Sequence, residues 1–344
     1  MKKLTYLFLA LIIVACSSDD SSGDSSDNGS NSCSFDNPIY LADNGITVKA
    51  CENANVGNKG TINGIEYTVV DETMLREMVD NEADVTRVCT SRITEMGYMF
   101  TGAEAFNQPI GNWDVSNVTD MSRMFIAAEA FNQPIGDWDV SNVTNMRSMF
   151  KAAYAFNQDI SSWDVSNVTD MGRMFILATA FNQPIGDWDV SSVITMFGMF
   201  EFAEAFNQDI SNWDVSSVIN MDSMFNYATA FNQDISSWDV SNVTDMGRMF
   251  YSASAFKQPI GNWDVSNVTV MNRMFDSSDF NQDISSWDVS NVTDMRYMFQ
   301  YTPFNQGISS WSVDNVISCY DFSLDSPLTE ENTPNFTNCD PNYN

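Results

Sequence analysis

The sequence predicts an α/β repeat protein: a right-handed solenoid with a parallel β-sheet along one side, short helices along the other and a cap at each end. Two observations predict it. The nine Trp of the 344 residues fall at 113, 138, 163, 188, 213, 238, 263, 287 and 311, spaced by 25 six times and then by 24 twice. Of the 21 Met, 18 share that register, in pairs such as Met121 and Met124. A unit of this length cannot bury its apolar face alone, whereas stacked copies can.

One unit runs from Val118 to Asn142 and reads VTDMSRMFIAAEAFNQPIGDWDVSN. Met121, Met124, Phe125 and Ala128 sit at i, i+3, i+4 and i+7, the spacing of one helical face. Thr119 precedes them as a candidate N-cap. Phe131 opens an extended stretch that ends at Trp138. Asp139-Val140-Ser141-Asn142 is turn chemistry, since Asp and Asn bond their own backbone. The expected unit is therefore helix, strand, turn. Nine to ten coils at about 4.8 Å each give a rod of roughly 45 Å. In the two short units, Phe280 lies nine residues after Met271, where Phe131 lies ten after Met121, so the loop between helix and strand is expected to tolerate a lost residue. The Trp, Phe, Ile and Met rows are expected to form the core rather than a sugar-binding platform.

The pattern MFxxAxxFNQPIxxWDVSNVTxM, recurring nine times between Ile93 and Ser318, resembles the bacterial surface protein repeat of BspA-type leucine-rich-repeat proteins. That resemblance implies a leucine-rich-repeat-like fold and a surface-exposed, adhesive or protein-binding role. It implies no catalytic residues. Leu is almost absent from the repeats, its places being taken by Phe, Ile, Trp and Met.

Stacking turns each repeat position into a row. The Gln row from Gln108 to Gln306 is unbroken, and its amides are expected to bond along the stack. The adjacent Asn row is interrupted by Lys257, which implies that the row reaches solvent. Asp114, Asp139, Asp164, Asp189, Asp214, Asp239, Asp264 and Asp288 form a carboxylate row. Neighbours ~5 Å apart repel by about 0.8 kcal/mol in water. Either the turn offsets this, through backbone N–H groups and the following Ser, or bound calcium does, with Asp139, Asp164, Asp189 and Asp214 as its ligands. Ser312 replaces the last Asp and keeps an acceptor without the charge, which favours the turn. A paired pattern runs beside it: Pro134 goes with Gly136, and Asp159 with Ser161.

The net charge is −31, from 15 basic and 46 acidic residues, and there is no His. Catalysis by Ser-His-Asp or Cys-His is excluded, as is any zinc site that needs imidazole. The acidic balance argues against nucleic acid as a partner. Carboxylates recur as rows with no local exception, so no catalytic site is expected and no cofactor.

Residues 1–15 read as a lipoprotein signal peptide: Lys2 and Lys3, then an apolar run too short to span a membrane. Ile13-Val14-Ala15-Cys16 looks like a lipobox, with Cys16 the lipidated residue. Residues 16–34 form a flexible Ser/Asp/Gly tether. Its start, Ser17-Ser18-Asp19-Asp20, resembles the surface-export signal of lipoproteins in the Bacteroidota and implies the outer face of the outer membrane. Residues 35–92 are expected to be an N-terminal cap, with strands around Asn63-Gly64 and a helix over 72–79 capped by Asp71. Residues 93–318 form the solenoid and 319–344 a C-terminal cap. Disulfides are expected outside the cytoplasm, with Cys319–Cys339 as one. Among Cys33, Cys51 and Cys89 one pair can form, and spacing does not choose it.

The expected function is a non-catalytic surface lipoprotein offering an acidic solenoid to a host, matrix or neighbouring-cell protein. The membrane is touched only through the lipid. The alternatives are glycan capture by Tyr154, Tyr227 and Tyr251, or a structural spacer.

Overall fold

The computed structural model describes residue 33 and residues 36–342. The expected signal peptide, Cys16 and all of the tether except Cys33 lie outside them. From Ile93 the chain winds as a repeat solenoid, one coil per repeat.

The N-terminal part holds the regular elements. Strands β1 (Ile39–Leu41) and β2 (Val48–Ala50) pair antiparallel. Strands β3 (Lys59–Ile62) and β4 (Ile65–Val69) form the expected hairpin, with Asn63 and Gly64 at φ 50° and 79°. Both positive angles suit the hairpin twist, and Gly adopts its angle without a Cβ clash. Helix α1 (Glu72–Asp80) follows, and the Asp71 carboxylate accepts from the Met74 N–H at 2.8 Å. Strand β5 (Val88–Cys89) then pairs parallel with β4 and leads into the first coil.

The core is continuous along the solenoid. Every Trp from Trp113 to Trp311 is 5% exposed or less. Successive indoles lie parallel, as with Trp113 and Trp138 at 6.4 Å between ring centres. From Trp138 onward each indole N–H donates to an Ile carbonyl one coil back: Trp138 to Ile110 at 3.2 Å, Trp213 to Ile185 at 3.0 Å. A buried indole needs such an acceptor. Phe125 stacks on Phe131 within its coil at 4.1 Å and on Phe150 of the next at 5.5 Å.

The expected repeat helix is not formed. Met121, Met124, Phe125 and Ala128 are all fully buried, as their spacing requires. Yet the Met124 N–H donates to Met121 and the Ala128 N–H to Phe125, at 3.3 and 3.1 Å. These are two successive four-residue turns. Arg123 and Ala127 sit in their third positions at φ 58° and 55°, in the left-handed region. The amides of Met121, Arg123, Phe125 and Ala127 point along the solenoid, to the carbonyls of Asn145, Arg147, Met149 and Lys151 at 2.8–3.0 Å. Two four-residue turns return the chain to the core at i, i+3, i+4 and i+7, as a helix does, so apolar spacing cannot separate them. Thr119 caps nothing; its N–H donates to the Thr94 carbonyl of the coil before, at 2.9 Å.

The parallel pairing also lies elsewhere than expected. It is one residue wide, from Glu95↔Asp120 through to Asp294↔Ser318, and precedes each first Met. The stretch from Phe131 to Trp138 is not a strand. Pro134 has no N–H to give, and the amides around it bond to side chains or close a turn. Gly136 stands where the following coil comes closest: a Cβ there would meet the Asp159 carbonyl at 2.6 Å. In the other class of coil, Asp159 accepts from the Ser161 N–H at 2.9 Å and holds the turn with its side chain.

The side-chain ladder joins Asn to Gln rather than Gln to Gln. Asn132 Oδ1 accepts from the Asn157 N–H and from Gln158 Nε2, at 3.0 and 2.9 Å. The same pair of bonds joins the coils up to Asn232, which accepts from the Lys257 N–H and Gln258. Lys257 is exposed and offers no acceptor, so Asn281 and Gln282 lack the bonds their counterparts make; its ammonium lies 3.1 Å from Asp279. The ladder resumes from Asn281 to Asn305 and Gln306.

The shortened coils carry a compensation. Elsewhere a buried Ala carbonyl accepts from the Phe that follows, as Ala253 does from Phe256. With one residue gone, Ser278 and Thr302 take the Ala place, and their hydroxyls lie 3.4 Å from the Phe280 and Phe304 N–H groups.

The C-terminal segment closes the far end. Cys319 occupies the place of a first Met, is fully buried and is disulfide-bonded to Cys339. Phe322 packs edge-on against Phe299 at 5.3 Å and covers the last Phe row. Of the three other cysteines among the described residues, Cys33 pairs with Cys51. Cys89 is free and buried, and burial pushes its thiol up.

Two stability measurements follow. Ala127→Gly should stabilise by about 0.5–1 kcal/mol in denaturant melts, because Gly relieves the left-handed backbone; in a helix it would cost about 1 kcal/mol. Lys257→Asn should restore two ladder bonds and stabilise by about 1 kcal/mol. The exposed ion pair it removes is worth less.

Candidate functional site

The repeats differ from one another mainly along one stretch, from the residue before each first Met to the sixth after it. The Phe-Asn-Gln, Trp-Asp-Val and Asn-Val-Thr segments hold the coils together and change little. Seven of the eight basic residues of 93–318 lie in this variable stretch, the eighth being Lys257. Nineteen of the 27 acidic residues lie outside it. The solenoid therefore has one face of mixed charge, and the rest is acidic.

Five of the seven basic side chains of this face lie against rings. The Arg123 guanidinium lies 5.1 Å from the Tyr98 ring centre and donates to its Oη at 2.5 Å. Arg147 and Arg173 both lie over the Phe197 ring, at 4.7 and 4.8 Å. Arg273 lies over Tyr297 at 4.0 Å and Arg296 over Tyr320 at 5.5 Å. Stacking of this kind holds a guanidinium in place while its edge stays free to donate.

Phe197 reaches its partners because of Gly172. A Cβ on Gly172 would stand 2.3 Å from the Phe197 ring, so the ring crosses the glycine of the previous coil. Arg147, Gly172 and Phe197 share the repeat position that follows each first Met, which also holds Ser122, Asp222, Asn272 and Arg296, so no residue type announces the cluster in the sequence.

The two ends of the face differ in charge pairing. Arg248, Arg273 and Arg296 meet Asp222, Asp276 and Asp294 at 3.1, 2.6 and 2.5 Å. Arg147 is 3.5 Å from Asp170. Among the described residues, Arg123, Lys151 and Arg173 have no carboxylate within ion-pair distance. Burial pushes the carboxyls of Glu201, Asp222 and Asp276 above the usual range. Asn226 donates to Glu201 at 2.8 Å and leaves its own buried Oδ1 without a partner.

The carboxylate row is built into its turns. Asp139, Asp164, Asp189 and Asp214 each accept the following Ser Oγ–H at 2.6 Å and its N–H at 3.0–3.2 Å. The Ser hydroxyl and amide hold Asp189, Asp239 and Asp288 below the usual carboxylate range. Asp114, first in the row, is buried instead, bonded to Ser91 and Ser116 and 3.5 Å from Lys49. Among the described residues no group of three or more Cys, Asp or Glu is placed to hold a metal ion.

The aromatics expected to face a glycan are split. Tyr227 stacks on Phe202 at 4.6 Å and meets Tyr251 edge-on at 5.2 Å. Tyr154 is exposed, without a ring partner among the described residues. A hollow of about 460 Å³ between α1 and the first coil is lined by Val79, Ala83 and Phe106, with Glu82 and Glu104 among its polar groups. Among the described residues no helix is long and apolar enough to cross a membrane.

Glu201→Gln should raise the melting temperature at pH 7, because it removes a half-buried charge and keeps the acceptor for Asn226. Its raised folded-state pKa means that the carboxylate costs stability above that range and nothing once protonated. The gain should therefore vanish as pH falls through the carboxylate range, which thermal melts from pH 7 to pH 3 would follow.

No curated protein matches the chain. A solved structure titled "Crystal structure of TLR13-ssRNA13 complex" aligns at 8% identity over 77% of this chain and 54% of that one, with a TM-score of 0.20. The chain thus spans about half the length of that protein, and a score so low carries no argument. A family described as "Mycoplasma protein of unknown function, DUF285" matches residues 71–184, 158–252 and 233–335. The three tandem matches overlap and together span residues 71–335, the whole solenoid and part of each cap, and the chain belongs to this family.

Proposed function

We propose that the protein is a non-catalytic, BspA-like surface lipoprotein, anchored through Cys16 to the outer membrane and displayed outward. Its solenoid, right-handed like other parallel crossovers, presents a face for adhesion or protein–protein contact. The observation that carries this reading is the confinement of variation to one face. Arg and aromatic side chains gather there, and these residue types dominate binding energy at interfaces. The remaining surface is occupied by bonds between coils and by acidic turns. The signal-like N-terminus and the two disulfides support an extracytoplasmic setting. Glycan capture is the second reading, favoured by the adjacent Tyr227 and Tyr251.

The test has two parts. Wild-type cells should yield a lipid-labelled, protease-accessible protein, and Cys16→Ser should abolish the label. The soluble mature chain should then bind members of an array of matrix proteins and glycans. Charge reversal of Arg123 and Arg173 should weaken those hits at least tenfold, and added salt should weaken them too. Hits that survive both changes would remove the face from the reading.

A further inference from the structure

We propose that the Tyr98–Phe197 end of the face binds a carboxylate-bearing polysaccharide, a polyuronate. The inference rests on reading this face as a binding surface and names its ligand.

The two ends of the face are not equivalent. Toward the C-terminus each guanidinium already has an aspartate within 3.1 Å. A ligand carboxylate there would compete with a bonded one. Toward the N-terminus Arg123, Arg147, Lys151 and Arg173 occur on three consecutive coils. Among the described residues Asp170 is the one carboxylate within ion-pair distance of any of them. On the variable stretch of these three coils four cations stand against two carboxylates, Asp120 and Asp170, in a chain of net charge −31.

The geometry selects the kind of anion. Coils repeat about every 4.8 Å, so the cations form a row rather than a cluster. A polymer with one carboxylate per sugar presents its charges in the same manner. The acidic groups of a folded protein are irregularly placed. Guanidinium edges accept carboxylates bidentately, which matches a uronate. The Phe197 ring, crossing Gly172, carries the Arg147 and Arg173 guanidiniums at 4.7 and 4.8 Å and so holds the two cations side by side for a chain of carboxylates. The hollow beside α1 carries no cation among its lining residues and takes no part.

The probe is a purified polygalacturonate fragment, with uncharged dextran as control, measured by calorimetry on the soluble mature chain. Wild type should bind the uronate, not the dextran, and more weakly as salt rises. Arg147→Ala with Arg173→Ala should lose about tenfold to a hundredfold in affinity, the size expected for charge-assisted bonds. Lys151→Glu, at a partly exposed site away from the core, should weaken binding without lowering the melting temperature. Glu201→Gln should tighten it, since Glu201 lies in the field of Arg173. Arg273→Ala with Arg296→Ala should leave it unchanged. The proposal is overturned if folded wild type ignores the uronate, or if the C-terminal pair matters as much as the N-terminal one. Should an acidic protein bind through Arg147 and Arg173 while the uronate does not, this inference fails and the proposed function stands. If no ligand on the array responds to either pair, both fail.

Discussion

The bond from each indole N–H to a backbone carbonyl one repeat back, an isoleucine carbonyl from Trp138 onward, is the constraint on which the other contacts depend. It fixes where one coil sits on the next, in rotation and in rise. With the Trp row fixed, the Phe rows stack, and the amides of the turn segment find the carbonyls of the following coil. A coil shifted by one residue would strand a buried indole N–H and displace every turn amide from its acceptor. The cost of such a slip would multiply along the stack, which explains why the Trp spacing departs from 25 only where Ser278 and Thr302 repair the shortened turn.

Those contacts leave little freedom to the sequence. Trp, Ile, Phe and Met fill the interior, Asn and Gln carry the side-chain ladder, and Asp with Ser holds a turn. What remains free is the outer side of the two four-residue turns. Side chains there sit on backbone already bonded to the neighbouring coil, so they can change without loosening the stack. Function is carried most cheaply on such positions, and the concentration of Arg and aromatic residues there is consistent with a face shaped for contact.

The ends show how a repeat array is stopped. At the N-terminus, β5 and Asp114 convert a small sheet into the first coil, with Val85 accepting the first indole N–H at 3.2 Å. At the C-terminus, Cys319 replaces a Met and ties the closing segment to the stack through Cys339. Each end supplies the partners that a missing coil would have supplied.

The repeat, its length, its buried rows and the Asp turns were legible in the residues, because stacking forces every coil to solve the same packing problem with the same side chains. The hairpin at Asn63-Gly64 and the Asp71 cap were legible too, since both are local. The conformation of the Met segment was not: two turns and a helix bury the same positions, and the choice lies with amides that bond to the next coil, 24 or 25 residues away. Nor was the Phe197 cluster, which exists because a glycine one coil earlier leaves room for a ring. The pairing of Cys33 with Cys51 and the partner of each ladder amide were likewise decided by tertiary structure. The sequence by itself determined what is buried and how often; only the stacked fold decided which backbone groups meet and which side chains become neighbours, because those contacts lie between coils rather than within one.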